Sequence, residues 1–352
     1  MKPRILHLFN DFHIGGVERQ HLLLLKHLPA DFEHLCWSYT KGPIESILDS
    51  MNIPHVSGPF ETLRKLCAGM EYDCIVVRTN RYMRQLSPLL KQTNKPVIYF
   101  RNYLRWHEGN GTTFDPELER LGFEMADHVF FSGPTLKSPV EKMKFPIPGG
   151  EILHNALDFD QHTLMPKTTP PAPPFKIGML GNINPVKNYT AAIEALYQDL
   201  RAHKVHLTIA GAFHYPDYGR ELKLKAEGLP ISFISYINDV SAFLAAQDVF
   251  LSTSKHEGWP NSIMEAFANG LPAIAPDVGD IMDTFGPNQP GFIYPAGEYG
   301  YIPRLIEKTC KPNHYVKLSR AAVERAKKFN IEVAVDKLSQ TINMLIQQKN
   351  ND

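Results

Sequence analysis

Two carboxylates with seven residues between them, Glu257 and Glu265, frame the stretch best suited to chemistry, KHEGWPNSIMEAFANGLPAIAPDVG at 255–279. Glu257 falls in a loop and Glu265 one turn into a short helical pattern. Between them lie Asn261, Ser262 and Ile263, whose backbone N–H groups are the unpaired donors of a helix start. Such a terminus attracts phosphate through those donors and through the positive end of the helix dipole. A carboxylate beside a phosphate site is electrostatically awkward unless it has a neutral polar partner. Sugar hydroxyls are such partners, so the combination points to a sugar phosphate or nucleotide sugar. A local alternative stands beside this one. Ser262-Ile263-Met264-Glu265 fits a capping box, which needs no ligand.

The elements that must position these groups are legible around them. Val249-Phe250-Leu251 reads as a buried strand feeding the loop. Gly258-Trp259-Pro260 turns the chain into a helix over 262–268. Asn269-Gly270 ends that helix, because glycine accepts the left-handed C-terminal conformation. Residues 271–275 are the next strand. Taken whole, the segment resembles the Glu-x7-Glu signature of glycosyltransferase family 4, retaining enzymes of the GT-B fold. The resemblance implies that Glu257 and the amides of Asn261, Ser262 and Ile263 hold the donor sugar and diphosphate. It implies that Glu265 holds the ribose.

Further loops extend the resemblance. A strand at 5–9 runs through a loop ending in Gly15-Gly16 into a helix over 17–28, the opening of a doubly wound α/β domain. Gly15-Gly16 suits a tight turn; it also resembles the family's Gly-Gly loop, which implies a place under the donor across an interdomain cleft. A strand at 175–181 leads into the loop 182–188, similar to the family's Gly-Arg-x-x-x-x-Lys loop, whose two cations neutralise the donor diphosphate. Lys187 matches, while Asn182 takes the Arg position. Arg101 follows a buried strand where many members carry a His, with His107 displaced nearby. Arg101 is expected to bind phosphate or an acidic acceptor; an ion-paired or solvated loop is the alternative for it and for Arg105. By the same resemblance Tyr236 and Ile237 lie near the nucleotide base, a buried aromatic being the alternative for Tyr236. Gly279-Asp280 replaces the usual pair of glycines.

Composition sets the outer bounds. The 352 residues suffice for two domains. Lys plus Arg and Asp plus Glu balance at 37 each, which leaves no electrostatic footprint for nucleic acid. Cys36, Cys67, Cys74 and Cys310 are scattered without a C-x-x-C pair, which argues against a zinc site or disulfide framework and suits a reducing compartment. No leader-like region and no apolar run of about 18 residues is visible, so a cytoplasmic protein is expected, at most peripheral to a membrane. The basic amphipathic stretch 81–91 is a candidate for such contact, with a solvated helix face as the alternative.

The expected architecture is α/β, a GT-B fold of two Rossmann-like doubly wound domains facing across a cleft. Five prolines within 165–174 read as a stiff linker. The N-terminal, acceptor-binding domain is therefore expected over 1–165 and the donor-binding domain over 166–330, with a terminal helix at 331–348 crossing back to the first. The implied activity is retaining transfer from a nucleotide sugar, UDP-linked by preference and GDP-linked as the other choice, to a glycan or lipid-linked acceptor in surface polysaccharide synthesis. Lys187, Glu257 and Arg101 are the expected catalytic residues, with no metal or other cofactor. A nucleotide-sugar 2-epimerase and a non-catalytic nucleotide-sugar-binding protein remain the alternatives.

Overall fold

The computed structural model describes residues 2–69, 72–79, 82–102, 106–108, 111–113, 115–143, 145–213, 215–235, 237 and 239–351, the backbone alone at 106–108 and 111–113. The chain divides into two compact units, Met1–Ala156 with Ile331–Asp352, and Leu157–Asn330.

The first unit holds β1 (Arg4–Leu8), β2 (Glu33–Ser38), β3 (His55–Ser57), β4 (Cys74–Val77), β5 (Val97–Arg101), a small antiparallel hairpin of β6 (Trp106–Glu108) and β7 (Gly111–Thr113), β8 (His128–Phe131) and β9 (Glu151–Ile152). Seven of these form a parallel sheet in the order β3-β2-β1-β4-β5-β8-β9. Cys74–Val77 is buried at every position, as a strand covered on both faces must be. Alternate residues serve opposite cores. Leu6, Ile75, Val77, Tyr99 and Phe131 enter one cluster, while Ile5, Val76, Ile98, Phe100 and Phe130 enter another. That second cluster is completed by the helix Ile331–Asn351, which buries Val335, Leu338 and Ile342 with Leu24 and Leu28.

The second unit repeats the plan with β10 (Phe175–Leu180), β11 (Val205–Ala210), β12 (Ile231–Ile234), β13 (Val249–Leu251), β14 (Ala273–Pro276) and β15 (Gly291–Tyr294). The order is β12-β11-β10-β13-β14-β15, again parallel. In both sheets the order reverses beside the first strand, β1 and β10. Loops at the carboxyl ends of strands flanking such a reversal are where doubly wound sheets bind ligands.

Two sequence expectations change here. The boundary lies at 156/157 rather than 165/166. Leu157 N–H bonds to Phe329 O at 2.7 Å and Leu164 N–H to Ala268 O at 2.9 Å, which ties 157–164 to the second unit. The proline-rich run is not a free linker either. Lys167 N–H reaches Ser319 Oγ at 2.7 Å and its ammonium reaches Ala245 O at 2.6 Å. Prolines supply no N–H, so the residues around them make the anchoring bonds. A helix at Pro216–Ala226, with proline at its first position, was not foreseen.

The basic helix foreseen over 81–91 spans Met83–Lys91. Arg84 pairs with Glu117 at 2.6 Å and Asp115 at 3.2 Å, and Lys91 with Glu124 at 2.9 Å. These cations therefore face carboxylates of the same unit. Among the described residues no helix is long and apolar enough to cross a membrane.

Candidate functional site

Lys187, Glu257 and Ser262, separated by up to 75 positions in sequence, line one recess of the second unit together with Tyr189, Thr253 and Ser254. The recess sits at the carboxyl ends of β10 and β13, the two strands flanking the reversal of order.

The loop that presents Lys187 is fixed by four sets of bonds. Gly181 turns the chain out of β10 at φ +147°, a conformation that side chains disfavour. Tyr189 Oη donates to Gly181 O at 2.7 Å. Burial, with the Glu257 charge nearby, pushes the Tyr189 phenol up, so it remains a donor. Asn184 Oδ1 accepts from the N–H groups of Val186 and Lys187, each at 3.0 Å, a side-chain-closed turn. Thr253 Oγ1, just past β13, lies 3.1 Å from Lys187 O and 2.9 Å from Asn188 O. Lys255 N–H donates to Val186 O at 2.8 Å.

The Lys187 ammonium donates to Glu257 Oε1 at 2.7 Å. Their side chains are 25% and 10% exposed, so the pair is partly shielded from water and stronger than a surface ion pair. The backbone of Glu257 packs directly against Gly279. A Cβ at that residue would lie 1.8 Å from Glu257 O, and its φ is +57°. Only glycine allows both the backbone approach and that conformation.

The helix Asn261–Ala268 begins at Pro260 with no side-chain cap. Ser262 is its second residue, so the capping-box alternative is not realised: Ser262 is already helical and cannot act as N-cap. Trp259 Nε1 donates to Met264 Sδ at 2.9 Å, tying the preceding turn to the helix. Ser262 N–H belongs to the first turn and has no intrahelical acceptor. Ile263 N–H differs from expectation, since it donates to Pro260 O at 3.2 Å. The first turn closes tightly and uses that donor. Asn261 and Glu265 flank the recess without lining it. Glu265 is half-buried one turn further along, and its carbonyl accepts from Asn269 Nδ2 at 2.8 Å. Gly270, at φ +63°, ends the helix as the sequence led one to expect.

Asn182 is exposed and adds no cation. Ile237 is half-buried against the cluster that holds Trp259 and Ile263. Tyr236 and Arg105 lie outside the described residues, and His107 is described by backbone alone.

Three sequence-predicted residues belong to the first unit. Gly15 caps the helix Gly16–His27 in extended backbone, and a Cβ there would meet Glu18 Oε2 at 2.4 Å. Gly15 thus leaves room for the buried Glu18 carboxylate to fold back over the helix start, of which Gly16 is the first residue. Arg101 corrects an expectation. It is 3% exposed, and its guanidinium binds both oxygens of the fully buried Glu119, with Nε at 3.1 and 2.9 Å and a further contact through Nη2. Nη1 donates to Leu136 O at 3.3 Å. All three of its nitrogens are engaged inside the core, so it serves as a structural cation rather than the expected phosphate ligand.

Sequence reasoning missed Thr253, Tyr189 and the back-to-back contact of Gly279 with Glu257. The run Ser252-Thr253-Ser254 after a buried strand was the available signal for the first.

Comparison with known proteins bears on the fold and on the second unit. The family of glycosyl transferases group 1 matches residues 160–329. A GDP-mannose-dependent alpha-mannosyltransferase of Mycobacterium tuberculosis is 38% identical over 64 residues, 18% of this chain and 17% of that protein. The match thus spans well under a fifth of the curated relative. Among solved structures, HepE of Anabaena in complex with UDP-glucose superposes with a TM-score of 0.81 at 19% identity, covering 97% of this chain and 99% of that one. WaaG, a glycosyltransferase involved in lipopolysaccharide biosynthesis, gives 0.73 at 14% identity, covering 96% and 99%. The chain has the GT-B fold, and residues 160–329, nearly all of its second unit, match the glycosyl transferases group 1.

Proposed function

We propose that this protein is a retaining glycosyltransferase of family 4 that takes a sugar from a nucleoside diphosphate sugar and needs no metal. The observation that carries the reading is the convergence of Lys187, Glu257 and the start of the helix at Ser262 on one recess. An ammonium and a helix N-terminus suit a diphosphate, and a carboxylate suits sugar hydroxyls. As the bond between the anomeric carbon and the phosphate oxygen breaks, charge grows on the diphosphate. Lys187 and the Ser262 N–H stabilise it there. The acceptor oxygen bonds to the anomeric carbon on the same face, and its proton passes to the departing phosphate oxygen. Glu257 orients the sugar and Glu265 anchors the ribose. The donor is a UDP-sugar by preference, in keeping with the ligand of the HepE complex; the mannosyltransferase relative keeps a GDP-sugar as the other choice. The acceptor is a glycan or lipid-linked glycan, in keeping with the role named for WaaG. The acceptor is assigned to the first unit.

The test is thermal stabilisation by UDP, GDP, ADP and their sugar conjugates on wild type, Lys187→Ala and Glu265→Ala. One nucleotide is expected to raise the melting temperature of wild type by mass action, and both variants to lose most of that rise. No stabilisation by any of them, in a folded protein, sinks the reading.

One observation favours a second reading. Among the described residues lining the recess Lys187 is the sole cation, Asn182 adds none, and Arg101 is engaged with Glu119. A nucleotide-sugar-binding protein without transferase activity would tolerate that loss. Product analysis separates the two: a new glycoside on an added acceptor supports transfer, and an unchanged donor supports binding alone.

A further inference from the structure

The Lys187–Glu257 ion pair ties together two groups to which the donor reading gives different partners. Lys187 faces the diphosphate and Glu257 faces the sugar, yet the ammonium donates to the carboxylate at 2.7 Å. The Lys187 backbone is held by Asn184 and Thr253, and the Glu257 backbone lies directly against Gly279. The two side chains therefore stay within reach of each other, so a phosphate arriving at Lys187 while Glu257 has no other partner must share the ammonium with it.

We propose that Glu257 is an internal competitor for Lys187, and that this makes the site discriminate a complete nucleotide sugar from the bare nucleoside diphosphate. The inference rests on the donor reading above and adds a specificity and release function to it. With a nucleotide sugar bound, Glu257 turns to the sugar hydroxyls, which donate to it and replace the ammonium. The Lys187 charge is then available to the diphosphate. After transfer the sugar has left and Glu257 has no neutral donor. It reclaims Lys187, and the nucleoside diphosphate loses its main cation while a carboxylate stays close by. Asn182 sharpens the effect, because no second cation at that position shares the load. The ion pair therefore opposes product more than substrate, which favours release of the nucleoside diphosphate after transfer.

The experiment measures dissociation constants by calorimetry for UDP, GDP, UDP-glucose and GDP-mannose on the full chain. Wild type, Glu257→Gln, Lys187→Met and the double variant are compared. Gln keeps the volume and hydrogen-bonding capacity of Glu257 and removes its charge. Glu257→Gln is expected to bind the preferred nucleoside diphosphate about tenfold tighter than wild type, while its preference for the sugar conjugate shrinks. In the Lys187→Met background the same change is expected to have less than a third of that effect, since there is no ammonium to win back. The inference is overturned if Glu257→Gln leaves the diphosphate affinity unchanged or weaker. It is overturned too if the full gain persists without Lys187, which would mean simple repulsion. If no nucleotide binds wild type or any folded variant, the donor reading itself fails.

Discussion

Gly279 makes the case at the scale of single residues. Its missing side chain leaves room for Glu257 O, which a Cβ would approach to 1.8 Å, and its positive φ disfavours any replacement. Gly279→Ala is expected to cost about 1–3 kcal/mol of stability and to displace Glu257. Nucleotide-sugar binding should fall tenfold or more, whereas Gly297→Ala, at an equally left-handed turn with open space around it, should affect stability alone. Melting curves and titration on the two variants decide it. Lys187, Glu257 and Ser262 were readable because each belongs to a local pattern of loop, glycine and helix start. Ile263 and Arg101 were misread for one shared reason. Whether a donor is available depends on what it already holds. The bond from Ile263 N–H to Pro260 O follows from the pitch of the first turn, and the partner of Arg101 stands 18 residues away on another element. No spacing rule in the sequence reports either.

Elements were legible in kind and approximate in extent. Apolar, β-branched runs such as Cys-Ile-Val-Val at 74–77 read as strands covered on both faces, and this one is. The proline run was misassigned because composition describes stiffness and not docking. How strand and helix are joined gives a second test. Arg101 ends β5 and Glu119 lies in the helix Pro116–Glu124, so their buried pair links the two. Glu119→Gln removes one charge and leaves the guanidinium uncompensated in the core. A loss of about 3–5 kcal/mol is expected by chemical unfolding. Arg101→Met with Glu119→Leu should recover most of it, because a well-packed apolar pair avoids the desolvation penalty. Transferase activity surviving in that folded double variant is the expected outcome, and its complete loss would return Arg101 to the chemistry.

At the scale of the whole molecule, chain length, the repeated alternation of strand and helix and the family resemblance pointed to two doubly wound units. They could not place the boundary, which depends on Leu157 and Leu164 finding partners far along the chain. Nor did they reveal a row of imidazoles in the first unit. His7 Nδ1 lies 2.9 Å from His21 Nε2, and His7 Nε2 lies 3.1 Å from His34 Nδ1. His21 also stacks on Phe9 with ring centroids 4.1 Å apart. Burial, joined by the neighbouring imidazoles and the Arg78 charge, holds His7 and His21 well below the ordinary histidine range, and burial lowers His34 to about 4. The unfolded chain therefore binds more protons than the folded one between about pH 6.5 and 4. Stability should be fully present above that window and fall as pH drops through it. The melting temperature measured from pH 7.5 to 4.5 is expected to decline, and His7→Gln to flatten the decline. An equally steep profile in the variant would assign the acid sensitivity elsewhere.

The first unit is discontinuous, with Ile331–Asn351 returning to its core after the second unit is complete. During synthesis this has an unusual result. The unit that starts earlier is finished later, because Leu24, Leu28 and Val76 await side chains that follow the whole of the second unit. The second unit is contiguous and can close as soon as Asn330 has emerged. The second unit is thus free to mature on the nascent chain, while the first keeps an open apolar seam until Ile331–Asn351 has emerged, a seam that chaperones would have to shelter.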